Sequence, residues 1–216
     1  MEKKLYIVTP CSREKNLKAV FKSINFKEDV EWVIIYDSIK AKKNFSHDKI
    51  KEFHLYDKES KHGNSQRNFA IDYLKTKKEN FFVYFLDDDN ILHKDFQKFI
   101  KKLVLKKLYT FDQDKMCKAY VDKEFKFVKI FKGNKPEPGK IDTAQFLSDF
   151  SLIKDIKFIT LKDGDDCDGK YIQACILKNK ENYEYIPRII SHYNYLNRKS
   201  LVSKLLKLRN LINFSS

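Results

Sequence analysis

Three consecutive carboxylates, Asp87, Asp88 and Asp89, follow directly on Phe81-Phe82-Val83-Tyr84-Phe85-Leu86, the most apolar run in the chain. Like charges side by side repel, and burial next to a strand end raises the cost of keeping them ionised. A divalent cation relieves both problems. Mg2+ and Mn2+ select carboxylate oxygen and complete their shells with substrate phosphates. Such an ion acts as a Lewis acid on a diphosphate leaving group. The plainer use of these residues is a solvated acidic turn in which Asp89 or Asn90 caps a helix. A second acidic patch, Asp163-Gly164-Asp165-Asp166-Cys167-Asp168, stands before an apolar helical stretch. It offers a general base, although acids also favour helix N-termini for electrostatic reasons alone.

These groups need elements to hold them. Leu5-Tyr6-Ile7-Val8 reads as a buried strand ended by Thr9-Pro10, and Glu31 to Tyr36 as a second strand closed by Asp37-Ser38. Ile50 to Tyr56 reads as a third. Between the first two, Glu14 to Phe26 carries Leu17, Val20, Phe21 and Ile24 on one helical face. Ser65 is placed to cap a helix running to about Lys75, with Phe69, Ala70, Tyr73 and Leu74 inward. The unalternating 81–86 run suits a central parallel strand covered on both faces. Strand and helix alternating in this way predict an α/β layer with a mostly parallel sheet flanked by helices. Ligands bind such sheets at the carboxyl ends of the strands. Thr9, Pro10, Asp37 and the aspartate triplet all stand at strand ends, and are expected to converge.

Further along, Asp95 to Lys106 reads as a helix, with strands at Tyr120-Val121 and Phe125 to Phe131, and a turn-rich loop over Gly133 to Gly139. Ala144 to Ile153 fits a strand or a short helix, Gly169 to Lys178 a helix, and Tyr185 to Tyr193 a last strand. Lys199 to Phe214 has an apolar stripe of Leu201, Leu205, Leu208 and Ile212 with Lys204, Lys207 and Arg209 elsewhere. It is expected either to pack on the core or to lie on an anionic membrane surface. The division expected is one domain over residues 1–198, with a nucleotide-binding half to residue 100 and an acceptor half after it, then the helix at 199–216.

The run His62-Gly63-Asn64-Ser65-Gln66-Arg67-Asn68-Phe69-Ala70, followed by Val83-Tyr84-Phe85-Leu86-Asp87-Asp88-Asp89-Asn90, resembles the GT-A glycosyltransferases. The nearest likeness is to their glucuronyltransferase-type family, with its G-x-x-Q-R-N-x-A helix and V-Y-F-x-D-D-D-N strand end. The family 2 glycosyltransferases share a weaker form. The likeness covers about residues 5 to 100. It implies a Rossmann-like GT-A fold and a Mn2+ or Mg2+ ion held by Asp89, with Asp87 beside it. Asp87 and Asp88 would face the ribose, the sugar hydroxyls or water around the ion. Asp37 would accept from a base, a uracil, framed by Thr9 and Pro10. Gly63 would let backbone approach the donor. Arg67 would offer a planar cation to the donor, or fix the aspartate loop by an ion pair. His192, in Arg188-Ile189-Ile190-Ser191-His192, resembles a late-strand histidine that meets the diphosphate or the metal. Asp168 stands where the family's Glu-Ser-Ser-Leu-Leu places its base, with Asp165 and Asp166 as the alternative candidates for that role. The implied reaction is inverting sugar transfer from a UDP-sugar to a hydroxyl of a glycan or lipid-linked acceptor, as in bacterial surface polysaccharide or lipooligosaccharide synthesis.

Composition sets the outer bounds. The 216 residues carry 44 Lys and Arg against 30 Asp and Glu, a net charge of +14. That charge favours anionic partners, and a basic nucleic-acid-binding protein is the chief alternative, with Tyr and Phe available to stack bases. No nucleic-acid-binding motif accompanies it, so no nucleic acid is expected. An inactive scaffold of the same fold is a third reading. Cys11, Cys117, Cys167 and Cys175 have irregular spacing, which predicts reduced thiols rather than a disulfide framework. No secretion signal or stretch of 18 apolar residues occurs, so the expectation is a soluble cytoplasmic protein, at most attached to a membrane face.

Overall fold

A computed structural model describes residues 3–41, 45–57, 62–115, 129–159 and 166–196. Strand β1 (Lys4–Cys11) leads through a 3-10 turn into helix α1 (Leu17–Ser23), then β2 (Val30–Tyr36) and β3 (Ile50–His54). Helix α2 (Asn64–Leu74) precedes β4 (Phe81–Phe85), the short β5 (Ile91–Leu92) and helix α3 (Phe96–Ile100). The second half contains β6 (Leu108–Lys115), β7 (Lys129–Phe131), β8 (Phe146–Asp149), α4 (Phe150–Ile153), α5 (Cys167–Lys178) and β9 (Tyr183–His192).

The sheet runs in the order β3-β2-β1-β4-β8-β6-β9-β5, with β7 paired to β6. β1, β2, β3 and β4 are mutually parallel where they pair. Beyond β4 the direction reverses: β8 is antiparallel to both β4 and β6, while β9 runs parallel to β6. The parallel character read from the first 90 residues therefore stops at β4, and the second half of the sheet is mixed.

Alternation along the strands builds two cores. Leu5, Ile7, Trp32, Ile34, Phe82 and Tyr84 point to the face covered by Leu17 and Val20 of α1 and by Phe96 and Ile100 of α3. Tyr6, Val8, Val33, Ile35, Val83 and Phe85 point to the opposite face, against Ala70, Ile71 and Leu74 of α2, Phe150 and Ile153 of α4, and Tyr171 and Ile172 of α5. Phe81 to Phe85 are all buried, as expected for a central strand with helices on both sides.

Several boundaries differ from the sequence reading. β1 continues through Thr9 and Pro10 to Cys11, because Thr9 is buried and its Oγ1 accepts a hydrogen bond from Trp32 Nε1 at 2.9 Å. Helix α2 is capped at Gly63, not Ser65; the Ser65 hydroxyl instead donates to Asp57 Oδ2 at 2.5 Å. The 144–153 stretch holds both expected conformations in succession, a strand and then one helical turn. β6 emerges from a segment with no clear pattern. The expected strand at 120–121, Cys117, Asp165 and the helix over 199–216 lie outside the described residues. No helix among the described residues is long and apolar enough to cross a membrane.

Candidate active site

The parallel strands bring Cys11, Tyr36, His54 and Phe85 to one edge of the sheet. There a cleft of about 490 Å3 opens, lined by seven aspartates (Asp37, Asp57, Asp87, Asp88, Asp89, Asp142 and Asp168) and by two arginines, Arg13 and Arg67. In a protein with net charge +14, this concentration of carboxylates marks a local reversal of sign.

The triplet does not act as a unit. Asp88 is buried, and its Oδ2 accepts from the backbone N–H of Ser12 at 2.8 Å, from that of Arg13 at 2.6 Å and from the Ser12 hydroxyl at 3.3 Å. Its Oδ1 accepts from Arg13 Nε at 2.7 Å and pairs with Arg13 Nη2. Asp88 thus clamps the β1–α1 loop at the wall of the cleft. Asp89 pairs with Arg13 Nη1 at 2.9 Å, and burial pushes its carboxyl above the usual range.

Asp87 points elsewhere. Its Oδ1 accepts from Arg67 Nη2 at 2.5 Å. Burial pushes its carboxyl up to about 6, against the pull of Arg67 and with further repulsion from Asp168 and Asp89. Carboxylate oxygens of Asp87, Asp142 and Asp168 lie within 4.8 Å of one another. Asp142 is held well above the ordinary carboxylate range, by burial first and then by the charges of Asp87 and Asp168. Its Oδ1 accepts from Ala144 N at 2.8 Å, and the Asp142 N–H donates to Gln145 Oε1 at 3.1 Å, a reciprocal capping box on the 3-10 turn Thr143–Gln145. Asp168 lies in the first turn of α5, where the positive end of the helix favours its charge. Arg67 Nη1 stands 3.7 Å from it. With all three ionised, three charges against one leave a net of about −2, the deficit a divalent cation neutralises, with oxygen-only ligands of the kind Mg2+ and Mn2+ take.

Arg67 is only 2% exposed. Its Nη1 donates to His62 O at 2.6 Å and to Asn64 Oδ1 at 3.1 Å, and its guanidinium carbon lies 5.3 Å from the Phe158 ring centre. Between the two roles weighed for this residue, the geometry is that of an ion pair fixing the aspartate loop.

The remaining expected site residues divide. Pro10, Asp37 and Gly63 line the cleft. Burial and the nearby Asp88 push the Asp37 carboxyl upward. Gly63 has φ +74°, and a Cβ there would sit 2.6 Å from Pro10 Cβ, so contact with Pro10 and the left-handed backbone both require glycine. Thr9 lies in the core against Trp32 and is not part of the wall. His192 is also off the wall: its Nδ1 lies 2.5 Å from Asp114 Oδ1, and the next two residues, Tyr193 and Asn194, line the cleft instead. Asp166 occupies the N-cap position of α5, faces Gly139 and does not line the cleft. The carboxylates grouped around Asp87 are those of Asp142 and Asp168, while Asp89 pairs with Arg13 and His192 with Asp114.

Asp142, Arg13 and Ser12 went unnoticed in the sequence. Asp142-Thr143-Ala144-Gln145 carries a capping-box signal, which marks a helix start and not a site. Nothing local to Arg13 announces its pairing with residues 75 and 76 positions away.

No protein-family model matches the sequence, and no curated protein does. A solved structure does match: residues 1–349 of TarS from S. aureus, with a TM-score of 0.62 at 15% identity, over 88% of this chain. The chain spans 60% of that structure's length. The shared architecture is a Rossmann-like α/β arrangement with a curled central sheet flanked by helices.

Proposed function

We propose that this chain is a metal-dependent glycosyltransferase that takes a nucleoside-diphosphate sugar, with uridine as the nucleoside, and transfers the sugar with inversion to a hydroxyl of a glycan or lipid-linked acceptor. One observation carries the reading. A glycosyltransferase-type fold places an aspartate-rich cleft at the carboxyl ends of its parallel strands, where open α/β sheets bind ligands.

Asp87 and Asp142 would hold a Mg2+ or Mn2+ ion, which typically takes one or two protein carboxylates and fills its shell with substrate phosphates. When bound, the ion supplies charge neutralisation for a departing diphosphate. The Asp88 clamp fixes Ser12 and Arg13 beside it, and Asp37 and Pro10 face the nucleoside. Asp168 is the base. Among the described residues its carboxylate has one charged partner, Arg67 at 3.7 Å, so lone pairs remain for an incoming proton. The acceptor hydroxyl gives its proton to Asp168 as its oxygen bonds the anomeric carbon. The bond from that carbon to the diphosphate oxygen breaks, its electron pair leaves with the nucleoside diphosphate, and the product is a glycoside.

The test is a panel of nucleotide sugars, scored for release of nucleoside diphosphate with and without Mn2+. Release that requires the metal, and disappears in Asp87→Asn and Asp142→Asn, supports the reading. Asp168→Asn is expected to bind UDP with Mn2+ as the native protein does, yet to lose transfer by about 100-fold or more. Failure of every donor to be turned over or bound would remove it.

A further inference from the structure

Helix α2 carries a polar ladder on one face. Asn64, Asn68 and Asp72 are spaced four residues apart, so they stand one above another along the helix. Each engages one of three successive residues that belong to no strand or helix. Asp72 pairs with Lys157 Nζ at 2.6 Å. Asn68 Nδ2 donates to Phe158 O at 2.9 Å, and the Phe158 N–H donates to Asn68 Oδ1 at 2.8 Å. Asn64 Nδ2 donates to Ile159 O at 2.9 Å. A carboxamide holds a donor and an acceptor side by side, so Asn68 satisfies both backbone groups of Phe158 as a neighbouring strand would. The order 72, 68, 64 against 157, 158, 159 leads the chain along α2 towards Gly63 and Arg67, at the cleft.

What the ladder fixes is Phe158, a buried residue whose ring meets three elements. The ring stacks on Tyr171 of α5, with centroids 3.7 Å apart and planes 13° from parallel. It meets Phe85 of β4 edge to face at 5.2 Å, and the Arg67 guanidinium of α2 faces it as well. Tyr171 stands three residues after Asp168, its neighbour on the surface of the same helix. Arg67 lies 3.7 Å from the Asp168 carboxylate itself. Phe158 is therefore packed against two of the groups that set where Asp168 stands, the helix that carries it and the cation that faces it. With Asp168 as the base of the transfer proposed above, we infer that Asn68 is a positioning residue. By holding both backbone groups of Phe158, it seats the ring that aligns Asp168 with the acceptor hydroxyl.

The experiment is a double-mutant cycle on the full chain, read as turnover of whichever nucleotide sugar the donor panel identifies. Asn68→Ala is expected to lower kcat about tenfold, the scale of a small misplacement of a reacting group, with KM for the donor and UDP affinity with Mn2+ unchanged. Added to Asp168→Asn, the same substitution is expected to cost less than about twofold, because its effect runs through a carboxylate already gone. An equal loss in both backgrounds overturns the inference, as does native kcat in Asn68→Ala or a loss seen in UDP affinity instead. Asn68→Asp keeps the acceptor and loses the donor, and serves the same cycle should the alanine variant fail to fold. Peptide-resolved hydrogen exchange gives a readout independent of turnover. The amides of residues 167–172 are expected to exchange faster in Asn68→Ala, and unchanged exchange overturns the inference. If the native protein turns over no donor, the nucleotide-sugar reading falls, and the exchange alone decides whether Asn68 holds the start of α5.

Discussion

At the scale of single residues, Arg67 holds the centre together. It is buried between Asp87 and Asp168 and also satisfies the His62 carbonyl. Removing one member of a buried ion pair leaves the other uncompensated, at a cost of about 3–5 kcal/mol. Arg67→Met is expected to lose that much in urea unfolding, with Mg2+ restoring part of it. The trio itself is a liability without an ion. Folding raises the Asp87 carboxyl to about 6 and Asp142 well above its ordinary value, so the folded state binds more protons than the unfolded one. That contribution to stability is fully present below the unfolded value near 4 and is lost as pH rises through about 6. Metal-free protein should therefore melt at progressively lower temperature from pH 4 towards pH 7 on account of these groups. Asp142→Asn keeps the capping oxygen and removes the charge. It should melt higher than the native protein at pH 7 without metal, while losing metal-dependent UDP binding.

At the scale of elements, Gly63 and Gly169 set where the site walls stand. A Cβ on Gly169 would lie 2.5 Å from Pro138 Cα and 2.7 Å from Glu137 O, both parts of the backbone. Gly169→Val should push the start of α5 off that loop, cost about 1–3 kcal/mol in a denaturant melt, and reduce turnover by displacing Asp168. The elements of the parallel half were legible because their signals are local. Leu5 to Val8, Glu31 to Tyr36 and Phe81 to Leu86 are short apolar runs ended by polar residues, and all three became strands of the parallel half. The limits of that legibility are equally physical. Thr9 and Pro10 stayed inside β1 because pairing with β2 extends to Tyr36 and Thr9 has a buried partner in Trp32, neither of which a local pattern encodes. β6 hid because Leu108 to Lys115 mixes apolar and acidic residues, and Asp112 finds its partners in Lys132, Gly133 and Tyr185, all distant in sequence. Asp142 was missed for a topological reason. It precedes β8, which is antiparallel to β4, so the start of β8 lies at the edge where β4 ends.

At the scale of the whole molecule, charge distribution decides what can bind. The chain is strongly basic, yet its cleft is acidic, so an anionic ligand drawn by the overall field still needs a cation to settle. UDP with Mn2+ at about one hundred times its dissociation constant should stabilise the fold by about 2.7 kcal/mol, a rise of roughly 5–10 °C in melting temperature for a chain of this size. Either component alone should give much less. Asp87→Asn should abolish the joint effect.

The reversal of strand direction after β4 has a consequence for how the centre is owned. Within the first hundred residues the triplet is tied to two arginines: Arg13 pairs with Asp88 and Asp89, and Arg67 with Asp87. The segment before β8 delivers Asp142 and α5 delivers Asp168 to Asp87, and these three carboxylates lie close enough together to share an ion. A cluster able to grip an ion is accordingly shared between the joined halves, with Asp87 from one and Asp142 and Asp168 from the other.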